Sequence, residues 1–137
     1  MMGWLTVMQD TSAWTPGQYA AAKSEFEFYK RKLRPLIRTA DLYHLSSRPD
    51  GVHWDAIEYF DPAGGRGALY VFRGSSPDQS IQAFPLRGLN SRARYKLSFR
   101  DDASQNAVLT GRQVATALKI RLAVPLSSEV VLLEQVP

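Results

Sequence analysis

Two histidines and three aspartates are the side chains best suited to acid–base chemistry or metal binding in this sequence. His44 and His53 flank a predicted β loop, and Asp41, Asp50 and Asp55 lie close by. Imidazole and carboxylate groups that converge can bind zinc or exchange protons with a substrate. The two histidines, however, have neither a helical nor a CxxC-like spacing. We therefore interpret them as surface or strand-edge residues and predict no metal site.

Trp54 and Asp55 are the residues that could contact a sugar. The flat face of an indole stacks on a pyranose ring, and a neighbouring carboxylate can accept hydrogen bonds from sugar hydroxyls. The competing interpretation is that Trp54 belongs to the core, since aromatic residues of a small β domain are mostly buried. Both interpretations stay open at this stage, and Trp54 and Asp55 are the candidate sugar contacts.

No pattern in the chain predicts an active site. A retaining glycosidase needs two carboxyl groups about 5 Å apart across the bond to be cleaved. Asp101 and Asp102 are adjacent, so their side chains diverge in an extended chain, and they are typical of a turn. The glycine-rich segment 61–67, DPAGGRG, lacks the phosphate-binding patterns, and no GxSxG motif is present. We predict no catalytic residue, no cofactor and no enzymatic activity for this chain alone.

One long helix precedes the part of the chain that carries these residues. Thr15 is a predicted N-cap, Pro16 occupies the first helical position, and Gln18 completes a capping box. Pro35 lacks a backbone N–H and disfavours helical geometry at Arg34, so we expect the helix to stop or kink there. Apolar residues recur at helical spacing and form one stripe that must be buried: Tyr19, Ala22, Phe26, Tyr29, Leu33 and Leu36.

Short β segments follow the helix. The clearest is 94–100, in which Tyr95, Leu97 and Phe99 alternate with polar residues. A short helix is expected at 110–117, and a strand at 3–8 precedes the long helix. The other predicted strands are 42–45, 54–60, 68–73, 80–84, 118–122 and 129–134. The second and third of this list flank a Gly-rich turn and predict a hairpin. The pattern predicts a mainly β fold, an antiparallel β-sandwich with Greek-key-like connections after one long N-terminal α-helix.

Composition narrows the class of protein. The chain has 137 residues and no cysteine, which is the size of one domain and excludes disulfides and zinc–thiolate sites. Its apolar runs are far shorter than the roughly 20 residues that cross a bilayer, so we expect a soluble chain without a membrane partner. The N-terminus has no basic leader and apolar core of a signal peptide. The sequence does not indicate a compartment.

The net charge of +4 raises the alternative of a nucleic-acid partner. Several basic residues lie in the helical region: Lys23, Lys30, Arg31, Lys32, Arg34 and Arg38. Most of them occupy the face opposite the apolar stripe, where solvation alone explains them. No nucleic-acid motif accompanies them. We therefore interpret the basic residues as a solvated helix face and expect no nucleic-acid partner.

Two long segments resemble one enzyme family. They are residues 29–45, YKRKLRPLIRTADLYHL, and residues 54–73, WDAIEYFDPAGGRGALYVFR. Together with Leu109-Thr110-Gly111 and Ser127-Ser128-Glu129, they are similar in order and spacing to the carboxy-terminal part of melibiase-type alpha-galactosidases. The resemblance extends over nearly the whole chain.

The resemblance implies a division of the chain and a role for it. Residues 1–40 would be the last strand and helix of a (β/α)₈ barrel, and residues 41–137 a C-terminal antiparallel β-sandwich. In that family the two catalytic aspartates lie on earlier barrel strands, which this sequence does not contain, and Asp55 falls in the sandwich. The implied role is a non-catalytic accessory domain that packs on the catalytic barrel and supports oligomerisation, and the exposed stripe predicts a homodimer through the helix face.

Two alternatives come from the residues themselves. The first is a stand-alone carbohydrate-binding module that uses exposed aromatic residues such as Trp54. The second, with less support, is an adaptor that binds an anionic partner through Lys30, Arg31, Lys32 and Arg38.

Overall fold

The structure is a computed structural model that describes residues 5, 7, 8, 10–76 and 79–137. The chain divides into two compact units, Met1–Thr39 and Ala40–Pro137. The first unit is helical and the second is built from β-strands. No helix among the described residues is long and apolar enough to cross a membrane.

The helical unit begins as the sequence predicts. Helix α1 covers Pro16–Phe28 and starts with a capping box. The Gln18 N–H donates to Thr15 Oγ1 at 3.3 Å, and the Thr15 N–H donates to Gln18 Oε1 at 2.8 Å. These two bonds satisfy backbone groups that have no partner inside the helix. The predicted helix start is confirmed.

The helix does not stop at Pro35. A π-helical turn, Tyr29–Leu33, leads into helix α2, Arg34–Ile37, and the Arg34 N–H donates to the Tyr29 carbonyl. Proline cannot donate a hydrogen bond, and its ring collides with the carbonyl four residues before it in a regular α-helix. The wider π turn changes the local hydrogen-bond pattern just before Pro35 and lets the helix continue. Of the two outcomes expected at Pro35, a stop or a kink, the stop does not occur, and the helix geometry changes just before the proline instead.

The apolar stripe of the helical unit is buried only near its C-terminal end. No residue of α1 is buried, and Tyr19 is 48% exposed, whereas Leu33 and Leu36 are buried. The strand predicted at 3–8 falls on Gly3, Trp4 and Thr6, which lie outside the described residues. The described part of that segment has no regular secondary structure.

The second unit contains eight strands in its described residues. They are β1 (Asp41–His44), β2 (Asp55–Asp61), β3 (Arg66–Arg73), β4 (Ile81–Phe84), β5 (Arg94–Phe99), β6 (Ala107–Thr110), β7 (Leu118–Arg121) and β8 (Ser127–Val136). A 3₁₀ turn, Ala103–Gln105, precedes β6, and helix α3, Gly111–Ala117, follows it. The predicted hairpin is confirmed as β2–β3, and the short helix is confirmed as α3.

The strands form two antiparallel sheets. The larger sheet has six strands in the order β1-β2-β3-β8-β5-β6, and the smaller one pairs β4 with β7. Strand β3 lies next to β2 on one side and β8 on the other. Most of its residues are buried, as expected for an interior strand whose two faces are both covered by side chains.

The core lies between the large sheet and the layer formed by β4, β7 and α3. Strand β5 directs Tyr95, Leu97 and Phe99 inward, as its alternation predicts. Phe84 of β4, Ile120 of β7 and Val114 of α3 belong to one cluster with residues of the large sheet. The fold is therefore a mainly β, antiparallel sandwich preceded by one long helix, and the predicted fold class is confirmed.

Candidate functional site

A groove lies where the loop between β1 and β2 meets strand β4. Its volume is about 570 Å³. The residues that line it come from the loop and from β4: Leu45, Ser46, Ser47, Arg48, Pro49, Asp50, His53, Trp54, Gln82, Ala83 and Phe84. We call it the Trp54 groove. It combines one indole with hydroxyl, amide, imidazole and charged groups, a composition suited to a small polar ligand.

Asp50 fixes the conformation of the loop beside the groove. Its Oδ1 accepts hydrogen bonds from the N–H groups of Val52 and His53, both at 2.8 Å. Its Oδ2 lies 2.6 Å from His53 Nδ1. Between them, Gly51 adopts φ 74°, a conformation that glycine accepts without strain. The hydrogen bonds from the His53 backbone and ring hold the pKa of Asp50 well below its usual value, so this carboxylate is ionised at neutral pH.

The same loop is attached to the segment that follows β3. The Ser75 N–H donates to the Gly51 carbonyl and the Ser76 N–H to the Val52 carbonyl, each at 3.0 Å. Gly74 permits this approach, because a Cβ at this position would lie 2.3 Å from the carbonyl atoms of Val52. Two segments distant in sequence therefore hold one rigid wall of the groove.

Trp54 is half-buried, and other strands fix its ring. The ring centroid lies 6.3 Å from that of Phe84, and the Arg73 guanidinium lies 5.9 Å from the indole centroid. Arg73 is itself buried and donates from Nη1 to the carbonyls of Leu122 and Ala123 at 2.8 and 2.9 Å. Trp54 thus has both of the roles that the sequence leaves open, since it packs against the core and also lines a groove.

Asp55 does not lie with Trp54 in this groove. Adjacent residues of an extended chain point to opposite faces, and Asp55 accepts a hydrogen bond from the Ser46 hydroxyl. The side chains that line the groove together with Trp54 include His53 and Gln82. Gln82 could not be found by its position in the sequence, because β4 reaches the groove only through the packing of the second sheet.

The other candidate acids and bases do not form a cluster. His44 lies exposed on strand β1, and the His53 side chain is 75% exposed. Asp102 caps the 3₁₀ turn and pairs with Arg121 at 3.2 Å. Its neighbour Asp101 donates its own N–H to Glu129. Within residues 5, 7, 8, 10–76 and 79–137, no group of three histidine or acidic side chains is arranged to hold a metal ion.

Glu58 is a buried carboxyl group that no sequence pattern predicted. It is fully buried on β2, where Oε2 accepts a hydrogen bond from the Arg87 N–H at 2.8 Å. Its Oε1 has no hydrogen-bond partner among the described residues. Burial raises the pKa of Glu58 to about 7, while the Arg87 N–H and charge act in the opposite direction. The available signal was its position between Ala56 and Phe60, which point inward on the same strand.

The helical unit carries a second cavity of about 600 Å³. It is lined by Leu5, Phe26, Tyr29, Lys30, Arg34, Ile37 and Arg38. The apolar members of this group remain accessible beside α1. Lys30 and Arg31 lie near Glu27, at 3.9 and 3.3 Å, so part of the basic face is neutralised by neighbours on the helix.

The described residues define the chain as an antiparallel β-sandwich domain with a helical segment before it. Within this class, its structure is similar to GH36 alpha-galactosidases, so the fold expected from the sequence resemblance is confirmed. A variant of AgaA from Geobacillus stearothermophilus, solved with raffinose, matches with a TM-score of 0.75 and 18% identity over 93% of this chain. The alpha-galactosidase from Lactobacillus brevis matches with a TM-score of 0.75 and 15% identity, also over 93%.

A third structure, AgaB from Geobacillus stearothermophilus, has a TM-score of 0.71 and 19% identity over 91% of this chain. The chain spans 17% of AgaA and AgaB and 18% of the Lactobacillus brevis enzyme. At these identities the likeness establishes the fold. No protein-family model matches the chain, and no curated protein sequence does so.

Proposed function

We propose that this chain is a non-catalytic accessory region of an alpha-galactosidase-like glycoside hydrolase. Residues 41–137 would form its C-terminal β-sandwich, and residues 1–40 would supply the last strand and helix of a (β/α)₈ barrel. The partner of the chain is then the remainder of that barrel. Hydrolysis of the substrate would belong to carboxylates outside this sequence.

The main support for the proposal is that the structural match covers most of this chain but only a small part of the larger enzyme. Almost the whole of this chain, 93%, superimposes on AgaA, yet it accounts for 17% of AgaA. A chain that folds as one small part of a much larger enzyme is expected to share the role of that part.

The exposed surface of the helical unit supports a protein partner. Phe26 and Tyr29 are only partly covered and line the 600 Å³ cavity. Tyr19 lies on the same stripe and is 48% exposed. Apolar patches of this kind mark protein contacts. In the proposed parent enzyme the barrel covers this stripe, and in the isolated chain a second copy would cover it.

The coding sequence before Met1 provides the first test. We expect a continuous open frame that encodes alternating strands and helices, with aspartates at the ends of two of the strands. Deletion of residues 41–137 from that longer protein should lower its soluble yield or its thermal midpoint. A stop codon followed by a separate start site would contradict the proposal.

An activity assay provides the second test. The purified chain should not hydrolyse p-nitrophenyl α-D-galactopyranoside above the rate of a buffer blank. The longer protein should do so under the same conditions. Turnover by the isolated chain that disappears in Asp55→Ala would overturn the assignment, because it would place a catalytic carboxylate in the sandwich.

A further inference from the structure

We propose that the Trp54 groove binds a neutral pyranose unit of an oligosaccharide, with the indole as the stacking surface and Gln82 and Ser47 as hydrogen-bond partners. This site is independent of the accessory role proposed above, because it requires only the residues of the sandwich. It also differs from the pair suggested by the sequence, since Asp55 takes no part in it.

The indole has the properties of a stacking platform. It is half-buried and lines the groove, so part of the ring is accessible to a ligand. Phe84 and Arg73 hold the rest of the ring, as described above. A rigid aromatic ring offers a large contact area to the C–H face of a sugar and loses little conformational entropy on binding.

Polar groups that line the same groove as the indole can bind sugar hydroxyls. The Gln82 amide makes a single long hydrogen bond among the described residues, from Nε2 to the Ala83 carbonyl at 3.5 Å. Its carbonyl oxygen and most of its donor capacity therefore have no partner among the described residues. The Ser47 hydroxyl is exposed and lines the same groove. An amide and a hydroxyl can both donate to and accept from sugar hydroxyl groups.

The charges at the groove favour a neutral ligand. Arg48 and Asp50 bring one positive and one negative group to the same lining. Both oxygens of Asp50 already accept hydrogen bonds from residues 52 and 53. An acidic sugar would gain from Arg48 but would face the Asp50 carboxylate, so the net electrostatic preference for an anion is small.

Hydrogen bonds within the chain hold the loop that lines the groove. Asp50 holds the turn, and the hydrogen bonds of Ser75 and Ser76 attach this turn to the segment after β3. A pre-formed site avoids the entropy cost of ordering a loop on binding. The volume of about 570 Å³ lies within the range of small-molecule sites.

The test is an NMR titration of the ¹⁵N-labelled full chain with methyl α-D-galactopyranoside, methyl β-D-glucopyranoside and D-galacturonate. The chain has three tryptophans, so three indole N–H signals are expected, and Trp54→Phe identifies the relevant one. We expect at least one neutral glycoside to shift this signal with a Kd near 1 mM, which corresponds to a weak single-ring site.

Matched variants separate binding from folding. Gln82→Ala alters an amide on β4 with a single long hydrogen bond and should weaken binding about three- to tenfold, as expected for one lost hydrogen bond. Trp54→Phe keeps an aromatic ring in the core and should weaken binding by a similar factor, now followed through backbone amide signals. Trp14→Phe, the same substitution in the helical unit, should leave the affinity unchanged.

Three outcomes would overturn the proposal. The first is an unshifted Trp54 signal with both neutral glycosides at concentrations about fiftyfold above the expected Kd. The second is equal affinity in the wild type, Gln82→Ala and Trp54→Phe, which would place the sugar elsewhere. The third is tighter binding of galacturonate than of either neutral glycoside, which would assign the groove to acidic ligands.

Discussion

Replacement of Glu58 by glutamine should remove a large part of the pH dependence of stability. The carboxyl group of Glu58 is fully buried, and one of its oxygens has no hydrogen-bond partner among the described residues. Its pKa rises from 4.5 to about 7 on folding, because burial penalises the charged form. The folded protein therefore holds a proton on Glu58 at pH values where the unfolded chain has released it.

The sign and size of the effect follow from this difference in proton binding. Below pH 4.5 both states are protonated, and the contribution of Glu58 to stability is fully present. As the pH rises from 4.5 to 7, the folded state binds more protons than the unfolded state, so the free energy of unfolding falls. A rise from 4.5 to about 7 corresponds to a loss of about 3 kcal/mol, at 1.36 kcal/mol per pKa unit.

Glutamine keeps the acceptor for the Arg87 N–H but does not titrate. Its buried NH₂ group would have no partner among the described residues at the position of Oε1, which costs about 1–3 kcal/mol at every pH. We therefore expect Glu58→Gln to be less stable than the wild type at pH 5. At pH 8 the two proteins should be close in stability, because the wild type has by then lost its proton.

The assay is urea unfolding followed by tryptophan fluorescence at intervals from pH 5 to pH 8.5. The quantity of interest is the difference between wild type and variant at each pH, in which the contributions of all other titrating groups cancel. Glu134→Gln provides the control, since this glutamate is exposed on β8. If Glu58→Gln shows the same decline with pH as the wild type, the buried carboxyl is not its source and the reasoning is refuted.

Two further predictions concern the helix surface and the wall of the groove. Phe26→Glu should weaken self-association of the chain at least tenfold in sedimentation experiments, because it places a charge on the exposed apolar stripe. Ser24→Glu, on the same helix, should leave self-association unchanged. A wild-type chain that stays monomeric at all concentrations would contradict the role given to this stripe. Gly74→Ala should destabilise the sandwich by about 1–3 kcal/mol in urea unfolding, because its Cβ would lie 2.3 Å from the Val52 carbonyl. Gly17→Ala is the control, with its nearest neighbour at 4.0 Å, and an equal effect of both substitutions would refute the close-contact explanation.

The parts of the fold that could be predicted are those in which the signal is local. The capping box needs only Thr15 and Gln18, and both of its hydrogen bonds form. The alternation of Tyr95, Leu97 and Phe99 identifies the inward face of β5 without knowledge of any other strand. In each case the residues that decide the structure lie within a few positions of one another.

The passage of the helix through Pro35 shows where a correct local rule gives an incomplete result. The rule that proline disrupts a regular α-helix holds, but it does not determine whether the chain stops or changes its geometry. Here the π-helical turn at Tyr29–Leu33 absorbs the disruption, and Leu33 and Leu36 on either side of Pro35 are both buried. Burial of these two side chains stabilises a helix that continues past Pro35. This burial depends on tertiary packing, which the local rule does not include.

Glu129 shows a similar dependence on tertiary contacts. In the sequence it begins the predicted strand 129–134. In the structure it is buried, and its carboxylate accepts hydrogen bonds from the backbone N–H groups of Arg100, Asp101 and Asp102. It therefore holds the turn after β5, and the pairing of β5 with β8 that creates this contact is not visible in either segment alone.

The candidate site also depends on contacts between residues that are distant in the sequence. The sequence pairs Trp54 with Asp55 because they are adjacent, yet adjacency in an extended chain is the arrangement that sends two side chains to opposite faces. Arg73 at the end of β3 and Phe84 on β4 pack against Trp54, and Gln82 on β4 lines the same groove. A binding site on a β-sandwich is thus better sought among residues that neighbouring strands and sheets bring together. For this chain, the expected hydrogen-bond partner of a sugar stacked on Trp54 is therefore Gln82 and not Asp55.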